Sequence, residues 1–112
     1  TAKPGAVRYM LANYTPTARP SVPLLSVQAV GDGATSPSLQ QAYLDQADPR
    51  RVQGLWLDAA GHCGMGVERA LTALHQLEER LDSGQWPNPP AGTVPHSPAP
   101  MLRPCLRGGK CE

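Results

Sequence analysis

The apolar positions of the chain change period several times, and each change marks an element. In PGAVRYMLAN, Val7, Met10 and Leu11 recur at helical spacing after a proline suited to a helix start, which predicts a helix over 4–13. YTPTARPSVP follows, and its three prolines forbid a helix and suggest an extended approach. PLLSVQAV at 23–30 reads as a buried strand bounded by proline and by the turn Gly31-Asp32-Gly33. Ser36-Pro37-Ser38 opens the next helix with a hydroxyl cap, and LQQAYLDQA carries it to about Ala47, where Asp48-Pro49 ends it. VQGLWLD at 52–58 is a second strand, which Ala59-Ala60-Gly61 breaks, delivering His62 onto a loop. From 66 to 83, Leu71, Leu74, Leu77 and Leu81 recur at steps of three and four, with charged residues between them. This stripe predicts a core-facing helix that stops at Gly84, with Trp86 folding back on it.

The order is helix, strand, helix, strand, helix, which predicts the α/β class with a parallel sheet. Two strands alone do not make a self-sufficient sheet, so the pattern is that of one end of a larger body. The expected division is a packed segment at 1–87 and a Pro-rich extended tail at 88–112, since nothing beyond Trp86 is periodic. Composition agrees: 13 prolines and 11 glycines in 112 residues, with 40% apolar, leave little for a deep core.

Charge narrows the function classes. The net charge is +1 with both signs interspersed, so there is no basic stripe for nucleic acid. No apolar run approaches the roughly 20 residues of a membrane span. Thr1-Ala-Lys-Pro-Gly5 is not an intact signal peptide, and the missing initiator methionine fits processing or an incomplete chain. Of the three cysteines, Cys105 and Cys111 bracket a Gly-rich turn at a spacing that could close a disulfide loop, which points to an oxidising compartment and a secreted protein.

Candidate chemistry sits at the two strand ends. Asp32 follows the first strand and His62 follows the second, at the edge where open α/β sheets gather ligands and catalytic groups. If the strands are adjacent and parallel, the two side chains meet, and a carboxylate can then fix the imidazole tautomer and stabilise the imidazolium. The bland alternatives stand beside this reading. Asp between glycines also suits a tight turn, Asp58 is a competing acid nearer His62 in sequence, and His62 could be a hydrogen-bonded structural residue. His75 and His96 are expected at the surface. Cys63 invites a thiol nucleophile, but neighbours on one loop rarely aim at each other, and packing or a disulfide suits it better. A zinc site of His62, Cys63, Cys105 and Cys111 has spacings that fit a closed site poorly, so no metal is expected.

VPLLSVQAVGDGATSPSLQQAYLDQA and LWLDAAGHCGMGVERALTALHQLEERLDSGQWP together resemble the last portion of α/β-hydrolase fold enzymes, over about residues 4–87. The resemblance implies the last two strands and the closing helix of that family's parallel sheet. In its chain order, Ser then Asp or Glu then His, Asp32 maps onto the acid and His62 onto the base. The nucleophile elbow G-x-S-x-G is absent: none of Ser21, Ser26, Ser36, Ser38, Ser83 and Ser97 has glycine on both sides. That element belongs upstream. The resemblance therefore implies a serine hydrolase cleaving an ester or amide without a cofactor, whose other polypeptide supplies the serine. Its partners would be that N-terminal half and a small acyl substrate. An acyltransferase with the same residues, or a non-catalytic binding fragment, are the alternatives.

Overall fold

The structure is a computed structural model, and it describes residues 2–62 and 65–101. The elements are helix α1 (Pro4–Asn13), strand β1 (Leu24–Gly31), helix α2 (Pro37–Leu44), strand β2 (Val52–Ala60) and helix α3 (Gly66–Ser83). β1 and β2 pair in parallel, Leu24 opposite Val52 through Ala29 opposite Leu57, and α2 lies in the crossover between them. Among the described residues this is a two-stranded parallel sheet with three helices, an α/β arrangement compatible with part of a larger α/β fold.

The local causes are legible. Pro37 opens α2, and the Ser36 hydroxyl accepts the Ser38 N–H at 3.3 Å as the expected cap. The helix ends at Leu44 rather than Ala47. Gln46 and Ala47 donate instead to the carbonyls of Tyr43 and Leu44, three residues back, which tightens the chain into turns. β2 runs two residues further than expected. Ala59 and Ala60 stay in the strand because Ala60 pairs with Gly31, and the break falls at Gly61.

The core is small. Val52, Leu55, Trp56 and Leu57 of β2 are buried, together with Ala18 from the segment before β1 and Gln76 from α3. α1 buries nothing. The expected core-facing stripe of α3 is corrected here: Leu71, Leu74 and Leu81 are 49%, 51% and 60% exposed, and only Leu77 of the four is half-buried. Arg69, Ala73, Gln76, Leu77 and Arg80 are the helix's less exposed positions, so the apolar stripe lies off the covered face. Two strands are too narrow a platform to cover a leucine stripe as well. Gln76 Nε2 donates to Asn88 O at 2.7 Å, while its buried Oε1 has no hydrogen-bond partner among the described residues.

The segment after α3 does more than run along a surface. Arg80 lies over the ring of Trp86 at 5.5 Å, the fold-back expected of that tryptophan. Thr93 then bridges Leu57 in antiparallel fashion, with Val94 N–H donating to Trp56 O at 2.9 Å. The outer edge of β2 is thereby paired at Trp56–Asp58. His96 packs edge-on against Trp56 at 5.1 Å and is half-buried, whereas the sequence had placed it at the surface.

Candidate active site

Both strands end at one place because their tips approach closely. A Cβ on Gly31 would stand 3.0 Å from Ala60 Cα and 3.1 Å from Ala59 O, so no larger residue fits without displacing the β2 backbone. The register shifts between Ala29 and Gly31, and Gly61 N–H donates to Gly31 O at 3.0 Å. Gly61 has φ 91°, a left-handed conformation that glycine adopts without a Cβ penalty. The chain turns there and swings His62 back over the end of β1.

The result is a direct contact: His62 Nδ1 lies 2.9 Å from Asp32 Oδ2. The Asp32 side chain is 5% exposed and the imidazole 47%. An ionised carboxylate only accepts, so Nδ1 carries the hydrogen, and in the neutral ring Nε2 is left as the basic nitrogen. Nε2 has no hydrogen-bond partner among the described residues.

Asp32 is held by more than histidine. Its Oδ1 accepts the N–H groups of Ala34 at 2.8 Å and Thr35 at 3.0 Å. Its Oδ2 accepts the Thr35 hydroxyl at 2.6 Å and, at the long limit of 3.4 Å, Gln28 Nε2. These donors hold the carboxyl well below the usual carboxylate range. The Thr35 hydroxyl contributes most, followed by the Thr35 N–H and His62, with burial opposing and the Ala34 N–H adding least. Asp32 is thus both a turn residue and the partner of the histidine.

Beside the pair is an open recess of about 320 Å³, whose apolar walls include Val27, Leu57 and Met65. It has room for a small organic group next to the imidazole. Asp58, the competing acid, is exposed, and its N–H reaches Gly92 O at 3.4 Å. His75 is exposed on α3 and meets Glu78 at 2.8 Å. Cys63, Cys105 and Cys111 lie outside the described residues. Sequence reasoning missed Thr35 and Gln28. The signal for Thr35 was available in Asp32-Gly-Ala-Thr35, since an Asp side chain commonly accepts N–H groups two and three residues on.

The chain is 30% identical over 73 residues, 62% of its length, to an o-phthalyl amidase of Xanthobacter agilis. It spans 16% of that relative's length. No protein-family model and no solved structure matches the chain.

Proposed function

We propose that the chain is the acid- and base-bearing C-terminal portion of an α/β-hydrolase that cleaves an amide or ester bond. One observation carries this reading: the 2.9 Å contact between Asp32 Oδ2 and His62 Nδ1 at the ends of two parallel strands. In the proposed reaction a serine from outside residues 1–112 attacks the substrate carbonyl. His62 Nε2 takes the serine proton and later returns one to the leaving amine or alcohol. Asp32 keeps Nδ1 protonated and stabilises the transient imidazolium. The distant amidase relative supports hydrolysis of an acyl bond and favours an amide among the candidates. The recess beside His62 suits a small acyl substrate.

The test is to combine the chain with an upstream polypeptide of the same protein carrying G-x-S-x-G. Fluorophosphonate labelling and turnover of an aryl ester and an aryl amide are then followed. The expected result is labelling of that serine and a fall of about 10⁴ in turnover for Asp32→Asn. Turnover by residues 1–112 alone, or a near-normal rate in the Asp32→Asn assembly, overturns the assignment. Competing water with an alcohol or amine in the same assay separates a hydrolase from an acyltransferase.

A further inference from the structure

Asp32 Oδ2 meets two strong donors at once, the imidazole of His62 and the hydroxyl of Thr35, and the hydroxyl is the closer at 2.6 Å. Oδ1 is occupied separately by two backbone N–H groups. The carboxylate is therefore clamped at both oxygens, and the side chain that reaches the histidine's own oxygen is Thr35.

The direction of the Thr35 hydroxyl follows from its surroundings. An ionised carboxylate can only accept, so the hydroxyl proton points to Oδ2. Its lone pair faces Gln28 Nε2 at 3.4 Å, and the same Gln28 nitrogen donates to Thr35 O at 2.7 Å. Gln28 projects from β1 itself, so a strand side chain anchors the turn that anchors the acid.

We propose that Thr35, anchored by Gln28, is a positioning residue for the Asp32–His62 pair: its hydroxyl fixes which carboxylate oxygen meets Nδ1 and takes up part of that oxygen's charge. This role rests on the reading of Asp32 and His62 as acid and base, but it is visible without turnover. A charge-assisted hydrogen bond to Oδ2 stabilises the ionised carboxylate, and of the donors around Asp32 this hydroxyl does most to keep it ionised. The groups facing the carboxylate are the titratable His62 from the loop after β2 and the neutral Thr35 and Gln28. With the hydroxyl removed, Oδ2 keeps a single strong donor. Asp32 then protonates at higher pH, and its remaining charge falls more fully on His62.

The experiment is a carbon-13 titration of the Asp32 carboxyl in the full 112-residue chain, with nitrogen-15 shifts of His62 reporting its tautomer. Three forms are compared: the parent, Thr35→Val and Thr35→Ser. The Asp32 midpoint is expected to rise by at least half a pH unit in the valine variant and to return in the serine variant, which keeps the hydroxyl and drops the methyl. A folded valine variant with an unmoved midpoint overturns the proposal. If valine prevents folding, Thr35→Ala is measured against Thr35→Ser by the same criterion. A midpoint that shifts equally in the serine variant also overturns it, because a packing role would be lost with the methyl. Since no substrate is involved, failure here leaves the hydrolase reading standing, and failure of the turnover assay leaves this titration interpretable.

Discussion

Gly31→Ala is the most informative perturbation of the strand tips. The new Cβ would sit 3.0 Å from Ala60 Cα, where ordinary contact begins at 3.4 Å, so the shortfall is about 0.4 Å. The obstacle is backbone on β2, not the far end of a flexible side chain. The strands must therefore part. If His62 moves with Ala60, its 2.9 Å contact with Asp32 stretches by the same amount to about 3.3 Å, where a hydrogen bond is weak. Overpacking of this kind costs about 1–3 kcal/mol. Urea unfolding followed by circular dichroism reads the stability. The nitrogen-15 spectrum of His62 reads the contact, because a released ring samples both tautomers. A variant with unchanged midpoint and an unchanged Nδ1–H population would refute the claim that close approach at Gly31 sets the pair.

Three further outcomes are expected. Leu71→Ala and Leu74→Ala should each cost no more than about 0.5 kcal/mol, as exposed positions do. A loss in the range of about 2–5 kcal/mol, typical of buried leucine, would mean the stripe is covered. Val94→Pro deletes the N–H that reaches Trp56 O at 2.9 Å; it should cost about 1 kcal/mol or more and speed hydrogen exchange at the Asp58 amide, while unchanged exchange would deny the edge pairing. For pH, the Asp32 carboxyl is lowered in the folded chain, so its ionised form contributes stability above the ordinary carboxylate range and loses it as pH falls through the folded value. The stability gap between parent and Asp32→Asn should then not close between pH 7 and about 5, and should close only below about pH 4; a gap that closes between pH 7 and 5 would contradict the hydrogen bonds that hold the carboxylate ionised.

Much of the architecture was legible in local signals. Pro4, Ser36-Pro37 and Gly84 mark helix ends, and the β-rich runs at Leu24 and Val52 mark strands, because each acts through its own backbone and immediate neighbours. The Asp32–His62 meeting could be read from chain order, since parallel strands bring like ends together. What escaped depends on partners distant in sequence. Ala59 and Ala60 look like a strand terminus until Gly31 pairs with Ala60. The leucine stripe of α3 has the period of a buried face, but periodicity states only that a face exists, and the described sheet does not reach it. Thr93 and Val94 lie among prolines with no strand pattern, yet the edge of β2 gives their backbone groups partners.

That pairing also limits how the sheet can associate. A sheet with two free edges can add neighbours on both sides and so propagate into a filament. With residues 92–94 seated on β2, the described sheet retains one open flank, along β1. Its valence is one. A second copy meeting that flank edge to edge about a two-fold axis would close a dimer, because neither copy has a further flank to offer. The proline-rich segment thus acts as a chain terminator for edge-to-edge growth.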